Sequence, residues 1–97
     1  NKDKTPIKTT PEAYVPERLN ELIEPLKQHI QQTGLVVTEI VNIQYAKKIK
    51  VRMGQKEAEV NLFYGKLGFS VVISPRRGTN EELNNVVAEL IQQFVNQ

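Results

Sequence analysis

Alternation of apolar and polar residues between Ile49 and Ser74 constrains the fold of this chain more than any other feature. Three runs within this stretch alternate, with single breaks at Phe63 and Val72: residues 49–53, 58–64 and 69–74. A repeat of two residues is typical of β-strands that bury one face. The polar segment 54–57 and the glycine-flanked segment 65–68 separate the runs and are predicted to form turns.

The alternation assigns the side chains of these strands to two faces of a sheet. The apolar face is predicted to form the core and holds Ile49, Val51, Met53, Val60, Leu62, Phe69, Val71 and Ile73. The opposite face is polar and partly basic and holds Lys50, Arg52, Glu59, Asn61, Phe63, Ser70, Val72 and Ser74. One aromatic and one aliphatic residue therefore lie at the centre of a charged surface.

The segment before these strands predicts one helix and one further strand. From Glu17, apolar residues recur at helical spacing: Leu19, Leu22, Ile23, Leu26 and Ile30. Pro25 interrupts this stripe, so either the helix is kinked or Pro25 opens a second short helix. Gly34 is expected to end the helix. Residues 35–45 are rich in β-branched side chains and predict a long strand, with residues 46–48 as a tight connection to the next.

The end of the chain predicts a second amphipathic helix. Residues 75–78 contain proline and glycine and are expected to form a loop. Thr79 is predicted to be the N-cap of the helix, with Glu82 reaching back to it in a capping box. The apolar stripe that follows consists of Leu83, Val86, Val87, Leu90, Ile91 and Phe94.

Together these elements predict an α+β fold. The expected order is helix, four-stranded antiparallel meander, helix, because all connections between strands are short. Both helices are expected on one face of the sheet, with the other face open. Residues 17–97 form this single domain, whereas residues 1–16 have the composition of a flexible tail or linker. Since the chain does not begin with methionine, we expect it to be part of a longer protein.

Composition removes several classes of function. The chain has no cysteine and one histidine, which excludes disulfides and the usual zinc ligand sets. No nucleophile triad, phosphate loop or paired-carboxylate site is recognisable, so we expect no enzymatic activity, no cofactor and no metal. No apolar segment is long enough to span a membrane, and no signal-peptide core is present. A cytoplasmic protein without a membrane partner is therefore expected.

From Ala58 onward the chain resembles a half-repeat of the TATA-binding-protein-like fold, as in the N-terminal module of bacterial ribonuclease HIII. The shared features are a strand, a turn carrying Gly65-Lys66, a second strand, a short loop and a long amphipathic helix. The resemblance implies that a curved, open sheet binds nucleic acid. A double-stranded-RNA-binding domain is a second comparison, although its last helix begins with lysines where this chain has Glu81 and Glu82.

The candidate binding residues are cations and one aromatic ring: Lys48, Lys50, Arg52, Phe63, Lys66, Arg76 and Arg77. Cations around an exposed ring suit single-stranded nucleic acid, since they neutralise phosphates while bases stack on the ring. Arg76 and Arg77 precede a helix N-terminus, where free amides near Thr79 and Asn80 favour an anion. Alternatively, these charges only keep the sheet soluble and its edges apart.

Two hypotheses about function follow. The first is a non-enzymatic accessory module that binds nucleic acid, either single-stranded or an RNA–DNA hybrid, through the open sheet face. The second is a protein-interaction or oligomerisation domain with Phe63 and Val72 at the centre of its interface.

Overall fold

The computed structural model describes residues 15–96, which form two helices and one four-stranded sheet. The elements in chain order are α1 (Glu17–Gln31), β1 (Val36–Ile43), β2 (Ala46–Met53), β3 (Lys56–Gly65), β4 (Gly68–Ile73) and α2 (Glu81–Val95). The strands pair in chain order, and each is antiparallel to the next. Both helices cover one face of the sheet, so the predicted α+β meander with an open face is confirmed.

The core lies between the two helices and the apolar face of the sheet. It is built from fully buried residues of both layers: Leu19, Leu26, Ile30, Ile49, Val51, Val60, Leu62, Val87 and Ile91. Met53 and Ile73 belong to this face by register but remain 45% and 38% exposed. Each is the last residue of its strand.

Pro25 lies inside one continuous helix, so the alternative of two short helices is wrong. The side chain of Pro25 is exposed, on the side of α1 that does not pack on the core. The buried stripe of α1 continues past it from Leu19 to Leu26 and Ile30. Packing of that stripe holds the helix together where a backbone hydrogen bond is missing. Gly34 follows the helix at φ 93°, as expected for a helix end.

The β1–β2 connection is shorter than the sequence predicted. It consists of two residues, Gln44 and Tyr45, and Tyr45 takes a left-handed φ of 62° that suits a tight hairpin turn. Residues 46–48 are therefore the start of β2 rather than a connection. As a result Lys47 and Lys48 are strand residues with opposite side-chain directions.

A β-bulge at Thr38 changes which side chains of β1 face outward. Val37 pairs with Val51, whereas Glu39 pairs with Lys50, so Thr38 is an extra residue without a partner in the register. Its hydroxyl donates to the carbonyl of Lys50 at 3.2 Å. The bulge brings Glu39 to the open face, where simple alternation would have placed it on the face of Val37.

The N-cap of α2 is Asn80, not Thr79 as predicted. The Asn80 side chain accepts a hydrogen bond from the Leu83 amide at 2.9 Å. Thr79 instead donates through its hydroxyl to the Arg76 carbonyl and accepts from Asn84. It serves the preceding loop because the helix begins one residue later than the capping-box spacing implied.

Two predictions concern segments at the limits of the described chain. The flexible tail was predicted over residues 1–16, of which residues 1–14 lie outside the described residues. Val15, at its end, packs against the core. Within residues 15–96, neither helix has the length and hydropathy needed to cross a membrane.

Candidate functional site

The open face of the sheet changes from apolar to charged along the strands. Residues that pair across the strands form rows, and the row nearest the β1–β2 turn is Ile43, Ala46, Phe63 and Ser70. The second row is Val41, Lys48, Asn61 and Val72. The third row is Glu39, Lys50 and Glu59, and Ser74 continues it next to Glu59. The fourth contains Val36, Arg52 and Glu57. Apolar side chains thus occupy one end of the face and ion pairs the other.

Most cations nominated from the sequence on this face have carboxylate partners. Lys50 Nζ lies 3.2 Å from Glu39 Oε1, and Lys48 Nζ lies 3.7 Å from Glu59 Oε2. Arg76 contacts two carboxylates, Glu59 at 3.2 Å and Glu57 at 3.4 Å. The charged end is therefore an ion-pair network rather than a row of unpaired cations.

Glu59 is the centre of this network. Its side chain is 2% exposed and accepts a hydrogen bond from the Ser74 hydroxyl at 2.7 Å. Burial by itself would raise the pKa of Glu59, but the hydrogen bonds from Ser74 and Arg76 and the charges of Lys48 and Arg76 lower it below its ordinary value. The same hydrogen bond to Glu59 raises the pKa of the Arg76 guanidinium. Glu59 is thus a buried, ionised anchor for two cations.

The backbone around Glu59 is completed by the start of α2. β3 extends beyond the end of β4, which leaves part of its edge without a neighbouring strand. The buried side chain of Asn84 accepts from the Glu59 amide at 3.0 Å, and the Asn80 amide donates to the Glu57 carbonyl at 2.7 Å. The Ser74 amide donates to the Glu59 carbonyl. These hydrogen bonds fix the position of Glu59 because they satisfy its own backbone amide and carbonyl and the carbonyl of Glu57 at this edge of β3.

A shallow concavity of about 470 Å³ lies over this network, and Lys48, Lys50, Glu59, Asn61, Ser74 and Arg76 are among its lining residues. Asn61 Oδ1 is buried there and has no hydrogen-bond partner within residues 15–96. Buried polar groups left unpaired by the protein are uncommon and call for an explanation such as a water or a ligand. The concavity is therefore a candidate site on the open face.

The remaining nominated residues lie around the network. Arg52 is exposed on the same face, and Lys66 and Arg77 are exposed in the β3–β4 turn and the β4–α2 loop. None of these three has an ion-pair partner within the described residues. Phe63 is half-buried on the open face, opposite Ala46 and Ser70, as the alternation indicated. The anion site predicted at the start of α2 is weakened, since the backbone amide of Asn80 already donates to the backbone carbonyl of Glu57.

Sequence reasoning missed the anionic partners on the open face. Glu59 and Ser74 had been assigned to the correct face, but their contacts with Lys48 and Arg76 depend on which residues of neighbouring strands are paired. Glu39 gave no usable signal, because only the bulge brings it to this face. Lys47 lies in the segment predicted as a connection, yet it is a strand residue that points to the helix side and is buried there.

Charge is strongly segregated between the two layers of the domain. The strands, with their connections up to Gly78, hold eight basic residues: Lys47, Lys48, Lys50, Arg52, Lys56, Lys66, Arg76 and Arg77. Three glutamates accompany them: Glu39, Glu57 and Glu59. The helices have the opposite balance, with six glutamates against Arg18 and Lys27. A net charge of +2 for the whole chain therefore conceals a positive sheet layer and a negative helix layer.

Comparisons with protein-family profiles, with curated proteins and with solved structures gave no match for this chain in any of the three. The resemblance to TATA-binding-protein-like modules remains an expectation from the sequence.

Proposed function

We propose that this domain is a non-enzymatic module that binds nucleic acid through the open face of its sheet. The segregation of charge between the layers is the observation that carries the proposal. A polyanion is attracted to the sheet side and repelled by the glutamates of the helices, so approach is directed to one face. Arg52, Lys66 and Arg77 offer charges that no carboxylate neutralises within the described residues.

The ion pairs on the face do not prevent phosphate binding. The pair between Lys50 and Glu39 is partly exposed, at 32% and 55% of the two side chains. Exposed ion pairs of this kind contribute at most about 1 kcal/mol to the stability of a protein. A phosphate can therefore replace Glu39 as the partner of Lys50 at a small cost in free energy. Glu59 is different, since its carboxylate is buried and remains in place beneath Lys48 and Arg76. Lys50, which can exchange Glu39 for a phosphate, and Arg52, which has no ion-pair partner within residues 15–96, are thus the strand cations best suited to bind phosphate.

The apolar end of the face supplies a surface for bases. Phe63 lies in a groove of about 520 Å³ that is also lined by Tyr45, Lys66 and Leu67, and Tyr45 is 51% exposed. Aromatic rings beside a phosphate-binding cation bind single strands by stacking, with little dependence on sequence. Single-stranded nucleic acid is therefore the preferred ligand within this proposal.

Fluorescence anisotropy with labelled single-stranded DNA, duplex DNA, RNA and an RNA–DNA hybrid tests the proposal. We expect a dissociation constant of roughly micromolar at low salt, rising steeply with salt as counterions are displaced. The double variant Lys50→Ala/Arg52→Ala is expected to weaken binding and to reduce the salt slope by about 2, one for each lost phosphate contact. Absence of binding to all four at low salt would refute the proposal.

A charge-matched control separates local contacts from net charge. Arg18→Ala/Lys27→Ala removes the same two charges from the helix layer and is expected to leave binding nearly unchanged. Equal losses in the two double variants would show that the sheet face is not the binding surface. Phe63→Ala is expected to weaken single strands by roughly 1–3 kcal/mol and to leave duplexes unaffected, because only unpaired bases stack on the ring.

A protein partner is the second candidate function. It is favoured by Val72, which is 49% exposed on the edge strand β4 and lies on the open face next to the row that contains Phe63. An apolar interface centred on these two residues tolerates salt, whereas phosphate contacts do not. Self-association that persists at high salt and is lost in Val72→Asp would favour this candidate.

A further inference from the structure

Lys47 is the only buried basic side chain within residues 15–96. It pairs with Asn42 on one side and Leu62 on the other, which directs its side chain toward the helix layer. It is 8% exposed, while the neighbouring Lys48 and Lys50 each retain about a third of their side-chain exposure on the opposite face. A buried ammonium is costly unless it is paired or hydrogen-bonded.

The charge of Lys47 is not neutralised by the described part of the chain. Its Nζ donates to Asn42 Oδ1 at 2.5 Å, and no carboxylate of residues 15–96 forms an ion pair with it. An ammonium carries three N–H donors, so two remain without a partner among these residues. Burial lowers the pKa of Lys47 because nothing compensates the loss of water. Glu59, the other buried charge, differs because several partners surround it.

The side chain of Lys47 borders a cleft between α1 and β1. The cleft has a volume of about 530 Å³, within the range of small-molecule sites. Ile23, Val37 and Ile40 form apolar parts of its wall, and Lys27 brings a second cation from α1. Two glutamates also border it. Glu39 turns its carboxylate to Lys50 on the other face, and Glu24 is exposed on α1.

We propose that this cleft binds a small oxyanion, the carboxylate or phosphate group of a metabolite-sized molecule. Lys47 and the Asn42 amide bind the anionic group at the base of the cleft, and Lys27 adds charge from the helix wall. Glu24 disfavours a second anionic group on the ligand, so a molecule with a single carboxylate or phosphate group is preferred. The site is independent of the proposed nucleic-acid surface, because it lies on the opposite side of the sheet.

Titrations followed by NMR of backbone and side-chain amides test this site, with inorganic phosphate and butyrate as separate probes. We expect shifts for Asn42, Lys47 and the α1 residues around Lys27 at millimolar probe. Response to both probes defines a general oxyanion site, and response to one identifies the chemical class. Lys47→Met is expected to weaken binding at least tenfold. The control Lys56→Met removes an exposed lysine of the same sheet and is expected to have no effect.

Two results would overturn the proposal: shifts confined to Lys48, Lys50 and Arg76 on the open face, or equal affinity in Lys47→Met and the wild-type chain. A second measurement does not depend on folding of the variant. Acetylation of Lys47 in the wild-type chain, followed by mass spectrometry, is expected to slow several-fold when either probe is present. An unchanged acetylation rate at Lys47 with both probes would also refute the site.

Discussion

Arg76 Nη1 lies 3.2 Å from Glu59 Oε1, and this contact ties the β4–α2 loop to the middle of β3. The carboxylate is buried, at 2% exposure, whereas the guanidinium side chain is 44% exposed. Glu59 therefore acts on two properties of the domain. It anchors the loop, and it removes positive charge from the face that we propose binds nucleic acid.

Glu59→Gln is expected to destabilise the domain by about 1–3 kcal/mol, because the amide cannot hold two cations and the Ser74 hydroxyl in the same way. Urea unfolding at neutral pH measures the change. Glu57→Gln is the matched control, since Glu57 contacts the same arginine but is 51% exposed. A loss in Glu57→Gln as large as that in Glu59→Gln would contradict the role of burial.

The same substitution is expected to strengthen nucleic-acid binding. Lys48 and Arg76 lose their buried carboxylate and the open face gains one unit of positive charge, which increases the attraction for phosphate. Anisotropy at low salt measures the affinity of Glu59→Gln against the wild-type chain. A variant that is less stable but binds more tightly separates the two roles of Glu59, whereas weaker binding would indicate that the network must stay intact to bind.

Stability at acid pH is expected to depend on Glu59. Its pKa in the folded domain lies below the ordinary value of 4.5. The unfolded chain therefore binds the proton more readily, and the stabilisation is complete above pH 4.5 and lost as the pH falls through the folded pKa. Urea unfolding from neutral pH to about pH 3 should show a steeper loss in the wild-type chain than in Glu59→Gln. Parallel curves for the two proteins would contradict the lowered pKa.

Asn84→Leu is expected to lower the free energy of unfolding by about 1–3 kcal/mol. The backbone amide of Glu59 then loses its acceptor while the amide itself stays buried at the edge of β3. Asn85 provides the control, since it is the next residue of α2 and is exposed. Asn85→Leu should change the free energy of unfolding by no more than about 0.5 kcal/mol. Comparable losses in both variants would contradict the role of the contact with Glu59, since leucine is a better helix former than asparagine at both positions.

Pro25→Ala is expected to stabilise the domain. Proline in a helix interior is about 3 kcal/mol less favourable than alanine, and part of this difference is offset by the freedom that alanine restores to the unfolded chain. We expect a net gain of roughly 1–2 kcal/mol in urea unfolding, since Pro25 is exposed and contributes no buried contact. An unchanged free energy of unfolding in Pro25→Ala would contradict the idea that the proline destabilises α1.

The alternation in residues 49–74 was sufficient to predict both faces of β2, β3 and β4, because the direction of a side chain depends only on its position within the strand. Phe63 was placed correctly on the open face for this reason. The predicted starts of α2 and β2 were less accurate. Thr79 fitted a capping-box spacing, but Asn80 is the N-cap, and residues 46–48 carry enough charge to resemble a connection although they begin a strand.

The sequence alone determined the order of the elements, the meander and the existence of an open face, since each follows from local periodicity and short connections. The partners of the charged residues were decided by the tertiary structure. The contact between Lys50 and Glu39 requires the bulge at Thr38 and the register between β1 and β2. The contact between Arg76 and Glu59 requires the alignment of β4 and its following loop with β3. The burial of Lys47 likewise depends on a strand start that only the hairpin defines. Periodicity fixes the direction of a side chain, whereas its neighbours depend on how separate segments align.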